Sequence, residues 1–389
     1  MNKVKEILHY PLLLIFAGLI LITTVLDLAT PAKSFSEMEN RYLAQRPEMT
    51  IRSLMAQDED QKYSIQYEEY TNDQFIGRDG WITLKSIAES ALGKIENNGI
   101  AYGDDHYMFA KMQYFSDLQN RQYPRNISFI QQMAEKYPQM KIAFGIIPNS
   151  YAVLWEKVPF GLENINQEAG IAEIYQGITA PNVEKLYFLP LLQEHRDEYI
   201  YYRTDHHWTT LGAYYAYSRL CETLGLVPFD REAHTAVEVP DFYGTFYSRA
   251  RTWNAQPDTL TYYELDNPLT IYTVTGPGMP TQGEAAGLYD LDKLAVYDKY
   301  AAFLHGNNGF SRVEGDGEGR ILVIKDSYAN SLVPFLTANY AQIDVVDLRN
   351  YNYGLDALIA ENGYDQILVL YSFDSFKSDP YLYRAGIEG

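Results

Sequence analysis

The chain has 389 residues, 47% hydrophobic and 21% charged, a balance that excludes a disordered protein and leaves room for one large domain or two ordinary ones. Lys and Arg number 31 against 51 Asp and Glu, a formal charge of −20, which argues against nucleic acid as a partner. The single cysteine, Cys221, rules out an intramolecular disulfide framework and a cysteine-based zinc cluster.

Lys3 and Lys5 precede a stretch, Ile7 to Leu26, without Asp, Glu, Lys or Arg. About 20 apolar residues can span a hydrocarbon core as a helix, and flanking lysines favour a cytoplasmic N-terminus. Residues 1–33 are therefore expected to form a membrane-spanning helix and juxtamembrane segment, with everything after Asp27 outside the cell membrane. The competing reading is a cleaved signal peptide and a secreted protein. The run is longer than an ordinary signal core, however, and Ala29–Ala32 shows no small-x-small cleavage site. Residues 34–98, polar and rich in Glu, Gln and Tyr, read as a stalk followed by helices packed on the main body. Trp81, Leu84, Ile87, Ala88, Ala91 and Leu92 recur there at helical spacing.

From residue 99 to 389 the pattern alternates. A helix near Ile127–Lys136 leads to an apolar strand at Lys141–Pro148, and Val183–Leu189 and Tyr199–Tyr202 read as further short strands. Thr210–Leu224 reads as a helix with Thr209 as N-cap and Gly225 just beyond its end. Ile321–Ile324, Ile343–Val346 and Ile367–Leu370 are β-branched runs separated by helical stretches at Ser331–Ala338 and Leu355–Glu361. Such alternation predicts an α/β fold with a mostly parallel sheet flanked by helices. Pro257–Gly319, rich in Gly, Pro, Asp and Tyr, is expected to be an insertion of surface loops near the site.

Two segments carry the chemistry. Arg320–Ser331 runs from an apolar strand into Asp326-Ser327 and then a helical stretch, which is how a fold presents a nucleophilic hydroxyl. Tyr201–Thr209 contains Asp205-His206-His207-Trp208 at another predicted strand end. A serine needs a base, and an imidazole needs a carboxylate to fix its tautomer. In extended backbone, residues two apart share a side, so His207 is the expected base and Asp205 its orienting partner. His206 points away and faces structure or substrate. Adjacent histidines on a strand diverge, so a metal site at Asp205, His206 and His207 is disfavoured, and no metal or cofactor is expected. The Ser327 amide is the first oxyanion donor, with the Asn149 side chain as a second or as a turn residue. Tyr328 and Arg349 are candidate pocket residues, Trp208 is expected in the core, with shielding of the triad or a sugar platform as its alternatives, and Asn307 and Asn308 read as a loop turn.

Asp-His-His-Trp (Asp205–Trp208), Lys-Asp-Ser-Tyr (Lys325–Tyr328), Glu-Asn-Arg-Tyr-Leu-Ala (Glu39–Ala44) and Ala-Tyr-Gly-Asp-Asp-His-Tyr-Met (Ala101–Met108) together resemble the DHHW family of bacterial envelope proteins. That family is related to SGNH-like acetyltransferases that O-acetylate alginate and other exopolysaccharides. The resemblance implies an SGNH-hydrolase-like sheet. The Asp-x-His-Trp pattern then falls on Asp205, His207 and Trp208, and the nucleophile on Ser327. Both Asp and His precede Ser, a permuted order relative to ordinary SGNH hydrolases. Lys325-Asp326-Ser327 stands where Gly-Asp-Ser is usual, which leaves the role of Asp326 open.

The expected function is an extracytoplasmic serine O-acyltransferase, in all expectation an O-acetylation enzyme, acting on a cell-surface or secreted polysaccharide. The resemblance implies an acyl donor supplied by an MBOAT-type membrane protein. Water in place of the sugar hydroxyl would make the same apparatus an esterase. A non-catalytic glycan-binding or scaffold protein of the envelope is the alternative from another class.

Overall fold

The computed structural model describes residues 11–36, 38, 41–112 and 117–386. These divide into two units, one of residues up to Lys94 together with Arg251–Trp253, the other of Ile95–Ala250 and Asn254 onward.

In the first unit a helix spans Pro11–Ala29, followed by helices Ile51–Leu54, Tyr63–Gln74 and Arg78–Ala91. Among the described residues no helix is long and apolar enough to cross a membrane. The predicted span begins at Ile7, and Ile7 to Tyr10, like Lys3 and Lys5, lie outside the described residues. Arg41 forms a two-pronged ion pair with Asp73 at 2.8 and 2.6 Å, and the Ala44 amide donates to the same carboxylate at 2.8 Å. The segment after Asn40 is thereby tied to the helix that carries Asp73. Glu39 and Asn40 themselves lie outside the described residues.

The second unit is built on an eight-stranded sheet. Its strands are β1 (Lys141–Ile147), β2 (Val183–Leu186), β3 (Pro268–Tyr272), β4 (Gly283–Gly287), β5 (Phe310–Glu314), β6 (Arg320–Lys325), β7 (Gln342–Val346) and β8 (Gln366–Ser372). The spatial order is β4-β3-β5-β7-β6-β8-β1-β2. From β7 to β2 every pairing is parallel, with β6 central and Ile324 in register with Val346 on one side and Val369 on the other. A parallel strand covered on both faces must be apolar throughout, and Ile321, Leu322, Val323 and Ile324 are all fully buried. Burying each such side chain is worth about 1.5–3 kcal/mol before entropy is counted. Gly145 on β1 leaves room for Phe188, whose ring would lie 2.3 Å from any added Cβ.

The sequence-based elements hold at their centres. The helix Thr210–Leu224 has the predicted cap, with Thr209 Oγ1 accepting from the Gly212 amide and Gly225 at φ 71°. Three expectations differ. The strand at Val183 stops at Leu186, and Phe188 and Leu189 begin a helix that runs to Glu194. Tyr199–Tyr202 is not a strand but one limb of a tight loop closed by a bridge between Tyr201 and Trp208. Lastly, Pro257–Gly319 is not an array of surface loops. It contributes β3, β4 and β5, which extend the sheet by antiparallel pairing onto β7, and a strand Asp258–Tyr263 that pairs with Ala236–Phe242. Its Gly and Pro residues punctuate short strands whose inward side chains, Leu260, Leu269 and Phe310, are fully buried.

Parallel pairing brings the carboxyl ends of β1, β8, β6 and β7 to one edge. Asn149, Ser327 and Arg349 follow β1, β6 and β7 at that edge, where side chains can project without breaking the ladder.

Candidate active site

Ser327 opens a five-residue 3₁₀ turn, Ser327–Ser331, rather than an α-helix; a short helix, Val333–Leu336, comes after it. Asp326, whose role the sequence left open, caps the turn. Its Oδ1 accepts from the Tyr328 amide at 3.0 Å and its Oδ2 from the Ser372 amide at 2.8 Å, pinning the turn to the end of β8. Within Ile321–Asn330 only Ser327 is not buried.

The hydroxyl of Ser327 lies 2.8 Å from His207 Nε2, and His207 Nδ1 lies 2.6 Å from Asp205 Oδ1. Asp205 Oδ1 also accepts from the His207 amide at 2.9 Å, while Oδ2 accepts from the amide and hydroxyl of Thr245 at 2.8 and 3.1 Å. The two-residue spacing thus brings base and carboxylate together through a local side-chain-to-backbone turn, not through strand alternation. Gly244 permits the approach, since a Cβ there would sit 2.2 Å from Asp205 Oδ2. The loop itself hangs on Asp258, which accepts from the Arg203 amide at 2.8 Å, the Thr204 amide at 2.8 Å, the Thr204 hydroxyl at 2.6 Å and the Tyr199 hydroxyl.

Burial would raise the Asp205 carboxyl, but His206, His207 and its hydrogen bonds hold it well below the usual carboxylate range. Burial, reinforced by His206, pushes the His207 imidazole down from 6.5 to about 4. With its proton on Nδ1 facing Asp205, the neutral ring offers Nε2 as an acceptor for the Ser327 hydroxyl. A base is disabled below its pKa, so a His207-dependent kcat/KM should stay flat on acidification past 6.5 and fall only near about 4. His206→Gln removes a charge that lowers His207 and should move this limb to higher pH. A pH–rate series with an activated ester checks both. A wild-type limb at 6.5, or an unmoved limb in the variant, contradicts the assignment.

His206 does not point away from the base as predicted. Its ring lies 3.7 Å from that of His207, and its Nδ1 is 2.7 Å from the Thr245 hydroxyl. Asp205, His206 and His207 offer ligand atoms within 4.8 Å of one another, yet both His207 nitrogens are engaged by Asp205 and Ser327. A metal there would have to displace that chain.

The other sequence candidates divide. Trp208 is fully buried and cannot be a sugar platform; its indole N–H donates to the Tyr328 carbonyl at 2.9 Å and the Ser331 hydroxyl at 3.1 Å. Tyr328 is also buried, with its ring 4.9 Å from His207 and its hydroxyl donating to the His206 carbonyl. It supports the site from beneath rather than lining a pocket. Arg349 binds Asp347 at 2.8 and 2.5 Å, and Asp347 also pairs with buried Lys325 at 3.2 Å. No hydrogen bond or ion pair among the described residues joins Arg349 to Ser327 or His207. Asn149 Oδ1 accepts from Gln167 at 2.7 Å and its backbone amide donates to Gln167 Oε1 at 2.9 Å, while its side-chain Nδ2 makes no hydrogen bond among the described residues. Asn307 is more than a loop turn, since its Oδ1 accepts from Lys325 Nζ at 3.1 Å and from Asn330 at 3.2 Å.

Sequence reasoning missed Tyr300 altogether. Its ring stacks on His207 at 3.8 Å, inclined by 9°, and its hydroxyl donates to the Ser327 carbonyl at 3.1 Å. One residue thus fixes the plane of the imidazole and the backbone of the serine. It is one tyrosine among 35, inside the stretch read as loops. Gly244-Thr245 and Asp258 were missed for the same reason: nothing local marks a residue that serves a site remote in sequence.

The fold and site define a class, an α/β protein whose sheet edge presents a serine, a histidine and an aspartate in one hydrogen-bonded chain. The chain belongs to the DHHW family: the family model described as DHHW protein matches residues 49–346. Among solved structures it is similar to a DHHW family protein from Eubacterium siraeum, with 24% identity, a TM-score of 0.63, and coverage of 76% of this chain and 98% of that one. It is also similar to Bacillus cereus PatB1, solved with a sulfonyl adduct, at 19% identity and TM-score 0.58, covering 73% of this chain and 97% of PatB1. A more distant likeness links it to the O-acetyltransferase domain of Pseudomonas putida AlgJ, at 14% identity and TM-score 0.42, covering 72% and 92%. At these identities the first two likenesses speak to the fold. No curated protein sequence matches the chain.

Proposed function

We propose that this protein is a serine-dependent, SGNH-like O-acyltransferase that moves an acyl group, acetyl in the first instance, onto a polysaccharide outside the cytoplasm. The observation that carries the reading is the continuous chain from Ser327 Oγ through His207 to Asp205, at 2.8 and 2.6 Å, on an open sheet edge. Ser327 Oγ attacks the acyl carbon while Nε2 of His207 takes the hydroxyl proton. The donor's bond to the acyl group breaks, and the leaving group receives that proton. A sugar hydroxyl then attacks the acyl-serine, giving its proton to His207 and restoring Ser327. Membership of the DHHW family supports transfer over hydrolysis, although water in the second step would make the same apparatus an esterase. The Ser327 amide and the side-chain Nδ2 of Asn149 are the candidate oxyanion donors.

The same reading places the protein at the cell membrane, single-pass with its N-terminus cytoplasmic, close to an MBOAT-type donor of acyl groups. Support comes from the uncharged run Ile7–Leu26 behind Lys3 and Lys5, and from Leu12, Ile15 and Leu21, which stand 80%, 68% and 66% exposed. Such side chains stay largely uncovered by the described residues.

The test is covalent. The full chain treated with an aryl sulfonyl fluoride, or with an activated acetyl donor, should gain one adduct on the peptide containing Ser327, read by mass spectrometry. Ser327→Ala should gain none there. An adduct absent from Ser327 in folded protein rejects the nucleophile and favours the non-catalytic scaffold.

A further inference from the structure

Arg196 and Arg203 line one cleft of about 450 Å³, and each has a guanidinium Nε buried without a hydrogen-bond acceptor among the described residues. A buried charged donor left unpaired is unfavourable, so two in one cleft call for a ligand. Arg203 stands 4.7 Å from the ring centre of Tyr199 and 5.5 Å from that of Tyr107, which hold its planar head in place. Its nearest carboxylate, Asp258 at 3.8 Å, already accepts the four hydrogen bonds that suspend the loop. Among the described residues, the Arg196 guanidinium meets the Gln193 carbonyl at 3.1 Å and Glu156 at 3.6 Å. The acids on the rim are mostly spoken for. Asp105 is bound to Lys157, and Glu198 to His195 at 2.7 Å and Tyr215 at 2.8 Å, which leaves Asp197.

We propose that this cleft binds an anionic group carried by a sugar, a carboxylate or a phosphate, and that it seats the acceptor glycan; the word acceptor rests on the acyl-transfer reading above. A guanidinium fork meets either anion with two parallel N–H donors, Nε–H and Nη–H. Both side chains are partly open, at 38% for Arg196 and 29% for Arg203. Arg203 also lies four residues before His207 in sequence, on the same suspended loop. The chain's charge of −20 repels polyanions at long range, and a local pair of forks is what selection of an acidic sugar then requires.

Binding is best measured on full-length Ser327→Ala protein, which takes turnover out of the experiment. D-glucuronate, glucose 6-phosphate and glucose are titrated separately, by calorimetry or by NMR. The expected result is that at least one acidic sugar binds tenfold or more tightly than glucose. Arg203→Gln and Arg196→Gln should each remove that preference while leaving the melting temperature in place. Preference for glucuronate identifies the anion as carboxylate, and preference for glucose 6-phosphate identifies it as phosphate. Should Arg203→Gln fail to fold, Arg196→Gln, which lies outside the suspended loop, still decides. Glucose binding as tightly as the acids, no binding by any of the three, or a preference that survives in the folded arginine variants overturns the proposal. Ester turnover by the wild-type chain, and its loss in Ser327→Ala, is read with no sugar present, so the nucleophile is judged separately from the cleft.

Discussion

Ser327→Ala is expected to lower turnover of an activated acetyl ester by at least about a thousandfold without unfolding the protein. The side chain sits in the one partly open position of a buried stretch, so losing its hydroxyl leaves no cavity of consequence. What disappears is the oxygen that His207 Nε2 approaches at 2.8 Å. His207→Ala should cost a similar factor, because a serine hydroxyl without a base is almost wholly protonated at neutral pH. The double variant should be hardly worse than either single one, since the two groups act in one step. Asp205→Asn should lose roughly a hundredfold or more, because an amide there favours the wrong imidazole tautomer. Steady-state kinetics on the four proteins, with circular dichroism as the control for folding, gives the answer. Turnover near wild type in folded Ser327→Ala would end the acyl-serine mechanism, and additive losses in the double variant would mean that serine and histidine act in separate steps.

How far the sequence revealed this arrangement depended on whether each residue's partner was close in the chain. β6, β7 and β8 were legible because strands buried on both faces must be continuous apolar runs. Helix Thr210–Leu224 was legible because its cap and its terminal glycine are local chemistry. Asp205 and His207 were rightly paired on an incomplete physical basis. They meet through a turn in which the aspartate accepts its neighbour's amide, and that same turn folds His206 over the base instead of away from it. Tyr300, Thr245 and Asp258 could not be read, since each meets the site only after the chain has closed on itself. The strands of Pro257–Gly319 were hidden by their brevity: five or six residues between glycines and prolines look like loop until β7 offers an edge to pair with.

The largest effect on stability should come from Trp208→Ala, at about 3–5 kcal/mol. The indole is fully buried, edge-on to Phe188 at 6.5 Å and to Tyr328 at 5.7 Å, and removing it opens a cavity that fixed backbone on both sides cannot close. Its N–H is a second loss, because the Tyr328 carbonyl at 2.9 Å and the Ser331 hydroxyl at 3.1 Å belong to the turn that presents the nucleophile. Trp208→Phe separates the two contributions. It keeps most of the volume and drops the donor, while Tyr300 still reaches the Tyr328 carbonyl at 3.3 Å, so it should cost only about 1–2 kcal/mol. Urea unfolding with an unchanged slope reads both numbers. A loss below about 1 kcal/mol in the alanine variant would mean that Trp208 does not pack as described. Turnover adds a second readout, because Trp208 directly follows His207 in sequence and grips the turn of Ser327 in space. In the alanine variant, even under conditions where it stays folded, base and nucleophile lose a rigid side chain that ties their two loops together, and kcat should fall further than the small ester's KM rises.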